Sequence, residues 1–296
     1  LCSDLSGRSV AAHTDEPALL ATDGLDAVVL AGPAGLHTAQ IERAAAVGTH
    51  IFCEKPPALR LDDARAAVSA VEQAGVSLQI GFMRRYDPAY VAAKRAIDRG
   101  DIGAPVIYKA IARDPRVPPA SFVRSSMTAG MFVESAIHDF DAGRWLMSSD
   151  IADVSAFGAT LISPALRAAG EYDTIMTNLR FESGALGNQE GYWNATYGYD
   201  IRAEVIGERG TIQIGRVGQT ATTILVEAGA RYDLFQDFLT RFQDAYVEEL
   251  RDFVARISSG ASPRVTGDDG LRALAVSLAA ERSAAAGGAV TRVATT

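Results

Sequence analysis

Residues 25–33, LDAVVLAGP, carry the reading of the fold. The apolar run from Leu25 to Ala31 stops at Gly32-Pro33, and such a run suits a strand buried on both faces, as in a parallel sheet. Residues Thr38 to Val47 follow, alanine-rich with apolar positions at helical spacing. A second short run, His50 to Cys53, ends at Glu54-Lys55-Pro56. Leu61 to Ala74 reads as another helix and Val76 to Ile80 as another strand, closed by Gly81. Strand, helix, strand, helix, strand is the rhythm of a doubly wound α/β sheet. Ligands of such a sheet bind at the carboxyl ends of its strands, where Gly32-Pro33, Glu54-Lys55-Pro56 and Gly81 lie.

After Arg85 the rhythm changes. One helix, Pro88 to Arg99, precedes mainly β-type segments: Val106 to Ala112, Ile151 to Phe157, Thr174 to Phe181, Ala185 to Trp193, Arg202 to Ile206 and Thr211 to Ile214. Glu182-Ser183-Gly184 and Glu208-Arg209-Gly210 supply glycine-ended turns suited to hairpins. Consecutive strands with short turns imply an antiparallel sheet, hence an α+β domain. Helices at about Leu234 to Ser258 and Asp268 to Ala286 close the chain, with Leu271, Leu274, Ala275 and Leu278 at helical spacing. The expected division is 1–84 for the parallel α/β part and 85–296 for the α+β part.

Composition narrows the function classes. The 296 residues include 28 basic and 36 acidic side chains, a net charge of −8, with 48% hydrophobic residues. That length accommodates two domains with substantial cores. The acidic balance argues against nonspecific nucleic-acid binding, which depends on a basic surface releasing counterions. No run of about 18 apolar residues suggests a membrane span. Cys2 and Cys53 are too few for a disulfide framework or a structural zinc site, so a reducing cytoplasm is the expected location.

Several clusters can carry chemistry. Lys55, at the end of a strand, lies where a ligand is expected and can orient a hydroxyl or stabilise a developing alkoxide. In Glu134-Ser135-Ala136-Ile137-His138-Asp139-Phe140-Asp141, helical spacing puts Glu134 and His138 on one face, with Asp141 a turn later. A histidine beside a carboxylate can serve as a general base near neutral pH. A metal is the rival reading, disfavoured because no second histidine stands at ligand spacing; a plain ion pair at a domain interface is the bland one. Arg84-Arg85-Tyr86-Asp87 straddles the domain junction and suits either hydroxyl binding or an interdomain salt bridge. Tyr197-Gly198-Tyr199-Asp200 offers phenols to a polyol, although aromatic residues at a strand edge are more often packing. The acid of Arg113-Asp114-Pro115 suits either a substrate hydroxyl or a turn cap.

Together and in order, DAVVLAGPAGLHTAQ (26–40), FCEKPPA (52–58), GFMRRYDPAY (81–90), ARDP (112–115), AIHDFDAGRWL (136–146), LRFESGALG (179–187) and YGYDIRAEVIGERGTI (197–212) resemble the Gfo/Idh/MocA oxidoreductases, in particular their inositol 2-dehydrogenase-like members. The resemblance spans essentially the whole chain. It implies a Rossmann domain for NAD or NADP, an α/β partner domain whose open sheet builds a homodimer or homotetramer, and hydride transfer from a ring carbon bearing a hydroxyl. It makes Lys55 and His138 catalytic, with Glu134 standing where the family commonly has aspartate. The extra methylene keeps the charge but moves the carboxylate. Gly32, Pro33, His37, Glu54, Lys55 and Pro56 become expected cofactor contacts, and Arg85, Asp114, Asp141 and Tyr197 expected contacts to an inositol-like polyol.

The family's opening strand and G-x-G-x-x-G turn are not found before Leu25, a shortfall of about 30 residues by comparison with a βα unit. Leu1-Cys2-Ser3-Asp4 resembles the end of the family's second strand, which would set Asp4 against the adenosine ribose and favour NAD over NADP. Two alternatives accompany this reading: a noncatalytic relative that has lost its cofactor site, and a sugar oxidoreductase with tightly bound NADP.

Overall fold

The computed structural model describes residues 10–123 and 127–295; Asp4 and Cys2 lie outside the described residues. A short helix α1 (Glu16–Leu20) leads into β1 (Ala27–Leu30), α2 (Ala34–Ala46), β2 (His50–Glu54), α3 (Leu61–Ala74) and β3 (Leu78–Gly81). The strands are parallel in the order β1-β2-β3, with Val28 opposite Ile51 and Phe52 opposite Gln79. β3 is buried on both faces, as a parallel strand should be. β1 departs from that expectation. It is an edge of the described sheet, and Val29 is 56% exposed between buried Val28 and Leu30.

A 3-10 turn (Met83–Tyr86) links this layer to α4 (Pro88–Asp98), whose start is set by the Asp87 side chain accepting from the Ala89 and Tyr90 amides and by Pro88 in the first turn. There follow β4 (Pro105–Asp114), α5 (Met131–Glu134), α6 (Ile137–Met147), β5 (Ile151–Ala159), α7 (Pro164–Ala168), β6 (Thr174–Phe181), β7 (Leu186–Trp193), β8 (Asp200–Gly207) and β9 (Thr211–Ile214). The chain continues through β10 (Gly218–Val226), β11 (Gly229–Leu234), α8 (Phe238–Ser259), α9 (Gly267–Ala285) and β12 (Thr291–Arg292). The second sheet runs β12-β5-β6-β7-β4-β8-β9, antiparallel except where β4 lies parallel to β7.

Several elements differ from the sequence expectation. β10 and β11 form an exposed hairpin that the sequence reading left undefined, and α8 starts at Phe238 rather than Leu234 because Asp237 caps it. The expected single helix through Glu134 and His138 is in fact two. α5 ends at Glu134, Ser135 and Ala136 form a turn, and α6 starts at Ile137.

Burial is organised in two cores. Ile41, Ile51, Cys53, Ile80 and Ala64 fill the first, joined by Phe242 of α8 and Leu271 and Leu274 of α9. Tyr108, Phe132, Phe140, Leu146, Val154 and Val205 fill the second, joined by Val276 and Ala279 of the same α9. Each fully buried large apolar side chain contributes roughly 1.5–3 kcal/mol, so α9 ties both layers into one body. Gly143 lets α6 approach β4: a Cβ there would meet Tyr108 Cε1 at 2.8 Å. The Tyr108 hydroxyl in turn donates to the Asp139 carbonyl at 2.9 Å.

Candidate active site

Where the carboxyl end of β2 faces the turn between α5 and α6, a cavity of about 450 Å³ opens. Its walls include Glu54, Lys55, Arg84, Asp114, Glu134, Ser135, His138, Tyr199 and Tyr246. Lys55, preceding a cis Pro56, donates to the Glu134 carbonyl at 2.7 Å and stands 3.8 Å from the Glu134 carboxylate. That carboxylate accepts from the Ala129 amide at 2.9 Å through its other oxygen. Lys55, Glu134 and His138 are thus brought together as expected, but the break after Glu134 points its carboxylate at Lys55 and Ala129.

His138 Nδ1 is buried without a hydrogen-bond partner among the described residues. Burial, with the Lys55 and Arg84 cations nearby, holds the imidazole well below its ordinary value. It is therefore neutral at physiological pH and able to accept a proton. Asp114 shows the opposite effect: burial pushes its carboxyl up to about 6, opposed by Lys55 and Arg84. Burial likewise raises the Glu54 carboxyl, against a lowering pull from Lys55.

Three of the residues expected to meet the substrate do not line this cavity. Arg85 and Asp141 do not reach the cavity. Arg85 grips Asp141 at 2.9 and 2.5 Å and Asp269 at 2.9 Å, joining the 3-10 turn to α6 and α9. On that turn successive side chains diverge, so it is Arg84 that lines the cavity, in a buried ion pair with Asp139. Tyr197 also stands outside, bonded to Asp200 at 2.8 Å and to Arg113 at 3.0 Å. Its neighbour Tyr199 lines the wall instead. Gly198 between them has φ +148, and a Cβ there would lie 2.6 Å from the Phe235 carbonyl, a path only glycine follows. His37 is buried, its ring nitrogens 2.8 Å from the Pro56 carbonyl and 3.0 Å from the Gly32 carbonyl. It fastens the two strand-end loops to one another.

Sequence reasoning missed Ser135, Tyr199 and Tyr246 as wall residues. The phenols of segment 197–200 stand out in the sequence, but only the backbone path at Gly198 selects between the tyrosines. Tyr246 arrives on α8 from the far end of the chain, with no local signal linking it to Lys55.

The described residues suit a dinucleotide. The parallel strands end together at Gly32-Pro33 and Glu54-Lys55-Pro56, and a Cβ at Gly32 would meet nothing within 4 Å, leaving open space over the first strand end. Among the described residues no group of three or more His, Cys, Asp or Glu is placed to hold a metal ion, and no helix is long and apolar enough to cross a membrane.

Comparison with known proteins agrees with this geometry. Residues 7–82 match the family model for the oxidoreductase family NAD-binding Rossmann fold, and residues 90–213 match the GFO/IDH/MocA C-terminal domain. The chain is 43% identical to the scyllo-inositol 2-dehydrogenase (NAD(+)) of Bacillus subtilis, over 90% of this chain and 77% of that protein. It is 37% identical to the myo-inositol 2-dehydrogenase of Thermotoga maritima, over 92% and 81%. The crystal structure of scyllo-inositol dehydrogenase from Lactobacillus casei with NAD(H) and scyllo-inositol superposes with a TM-score of 0.88 at 30% identity, covering 94% of this chain and 83% of that one. With both domain models matched and such relatives aligned along most of its length, the chain belongs to the Gfo/Idh/MocA family of oxidoreductases.

Proposed function

We propose that the protein is an NAD-dependent dehydrogenase that oxidises a ring CH–OH of an inositol-like cyclitol to the ketone, with His138 as the base. The observation that carries this reading is the placement of His138 with Lys55 and Asp114 in the wall of one cavity, its Nδ1 buried without a hydrogen-bond partner among the described residues. The inositol dehydrogenases of Bacillus subtilis and Thermotoga maritima support the substrate class, and the former supports NAD.

A bound nicotinamide dinucleotide supplies the acceptor for the hydride, which leaves the substrate carbon with both electrons of its C–H bond. His138 takes the hydroxyl proton as the C=O bond forms. Lys55 places an ammonium beside the oxygen and stabilises its developing negative charge. Asp114, when ionised, accepts a hydrogen bond from a neighbouring ring hydroxyl. Glu134 holds the Lys55 ammonium in place through its carbonyl and, at 3.8 Å, its carboxylate. Gly32, Pro33, Glu54 and Pro56 form the dinucleotide side of the cleft. In this division the chain through Arg84 serves the cofactor and the chain from Arg85 onward serves the substrate and assembly.

The proposal includes a homo-oligomer. α6 and α9 cover one face of the second sheet, and the other face exposes Phe157 opposite Met176 and Ile107 opposite Leu186. Apolar surface of this kind favours association with a second copy.

The test is steady-state turnover with myo- and scyllo-inositol, hexoses and pentoses against NAD+ and NADP+, followed by reduced-nicotinamide absorbance. Inositols with NAD+ should give the highest kcat/KM. Turnover of a hexose or pentose in preference to every inositol, or of no polyol at all, overturns the assignment.

A further inference from the structure

His37 stands in the first turn of α2 and is 1% exposed. Its Nδ1 lies 2.8 Å from the Pro56 carbonyl and its Nε2 lies 3.0 Å from the Gly32 carbonyl, so each ring nitrogen meets an acceptor. A neutral imidazole has a single N–H and donates once. Both bonds form together only in the imidazolium, where each nitrogen carries a hydrogen. No charged side chain bonds to the ring among the described residues. Glu54 and Lys55, just before Pro56, are turned elsewhere: a Cβ at Gly81 would lie 3.0 Å from Glu54 Oε2, and Lys55 donates to the Glu134 carbonyl at 2.7 Å. Arg43 of α2 itself pairs with Glu16, and on the neighbouring α3 Asp62 and Asp63 pair with Arg65 and Arg60 at the surface. Two carbonyl oxygens therefore hold the cation, against its burial and the positive end of the α2 dipole.

We propose that His37 is a positioning residue that acts as an imidazolium: charged, it holds the two strand-end loops of the cofactor cleft together, and on losing its proton it releases one of them and weakens cofactor binding. The kinetic part of this rests on the reading of Lys55 as the cation beside the reacting oxygen. Pro56 follows Lys55 directly, so the bond at its carbonyl fixes the backbone from which the ammonium reaches. Gly32 ends the first strand on the dinucleotide side of the cleft. A neutral ring turns a lone pair toward one of the two carbonyl oxygens, and that loop separates from its neighbour. Displacements of about 1 Å at a reacting group can cost 10²-fold in rate.

The experiment compares the wild type with His37→Asn and His37→Gln, each confirmed folded by circular dichroism and thermal melting. The asparagine amide nitrogen falls near the place of Nδ1 and keeps the Pro56 side. The glutamine nitrogen falls near the place of Nε2 and keeps the Gly32 side. Neither titrates. The chain has four histidines, so the nitrogen-15 ring signals that vanish in both variants belong to His37. In the wild type those signals should show both nitrogens protonated at about pH 5.5 and one at about pH 8.5. NADH affinity, read by fluorescence titration without substrate, should fall about 3- to 10-fold over the same change, the scale of one hydrogen bond. Both variants should lose that dependence. His37→Gln, which frees the Lys55 loop, should lower kcat roughly 10- to 100-fold. His37→Asn should keep kcat and raise KM for NAD+.

A ring that keeps one protonation state across this range, or that titrates with no change in NADH affinity, overturns the proposal. Equal losses of kcat in the two variants overturn it as well, since general loosening of the fold gives that result. If neither variant folds, the wild-type ring signals, assigned as those that shift on NADH binding together with the affinity, decide alone. Lys55→Ala separates the two levels: full activity there removes the role of Lys55, while the ring charge and the NADH affinity still test His37.

Discussion

Lys55 Nζ, at the carboxyl end of β2, donates to the Glu134 backbone carbonyl at 2.7 Å across the junction of the two domains. The bond makes the ammonium a fixed donor beside His138 rather than a mobile surface charge. Lys55→Ala should therefore lower kcat by about 10²–10³-fold, the usual scale for removing one preorganised electrostatic contact. Lys55→Arg should not restore it, since a planar guanidinium cannot occupy the place of a compact ammonium. Steady-state kinetics decide, and near wild-type turnover in Lys55→Ala would count against the role given to it.

Asp114 and His138 predict the acid behaviour. The Asp114 carboxyl is raised to about 6 and the His138 imidazole is held well below its ordinary value. The acid limb of kcat/KM should consequently fall near pH 6 and report Asp114, because His138 is already neutral there. Asp114→Asn should abolish that limb. For stability the signs oppose. A depressed His138 contributes stability that is complete above about pH 6.5 and is lost as the pH falls toward its lowered value. A raised Asp114 contributes below its ordinary carboxylate value and loses that contribution as the pH rises to about 6. Urea midpoints of Asp114→Asn and His138→Gln against pH measure the two separately.

Arg84 and Asp139 form an ion pair with side chains 2% and 0% exposed. Removing one partner strands a buried charge, so Arg84→Met should cost about 3–5 kcal/mol in chemical unfolding. Replacing both, Arg84→Met with Asp139→Leu, should recover much of that loss. A double variant as unstable as the single one would contradict it.

Glu249 on α8 is buried, its Oε2 has no hydrogen-bond partner among the described residues, and burial together with Glu54 pushes its carboxyl up to about 9. A carboxyl raised in this way contributes stability in full below its ordinary value of 4.5 and loses it as the pH climbs toward about 9. Glu249→Gln mimics the protonated form. Its melting temperature should therefore exceed the wild type's by a margin that grows from pH 5 to about 9. A constant margin across that range would show that Glu249 is not the titrating group.

Phe157 and Met176 pair on the uncovered sheet face. Phe157→Lys together with Met176→Lys should reduce the assembly mass measured by light scattering while leaving a folded chain by circular dichroism. An unchanged mass would place the contact on another surface.

The order of elements was legible because periodicity is local: LDAVVLA, the alanine-rich run after it and the EKP strand end follow from burial along a few residues of chain. Lys55 and His138 could be named for the same reason, each standing in a short run with its own chemical character. Contact partners between distant segments could not. Whether Arg84 or Arg85 lines the cavity depends on a 3-10 turn packed against α6 and α9, and whether Tyr197 or Tyr199 does depends on Gly198 passing the Phe235 carbonyl. The break at Ser135 looked like continuous helix in sequence, since nothing local opposes helical geometry there. What accompanies it is the Trp193 indole arriving from a strand 58 residues away, together with the Lys55 contact to the last carbonyl of α5. Sequence by itself determined the elements and the chemical types at the site; tertiary packing decided which side chains share the cavity, because burial and hydrogen bonding act between segments that the chain keeps far apart.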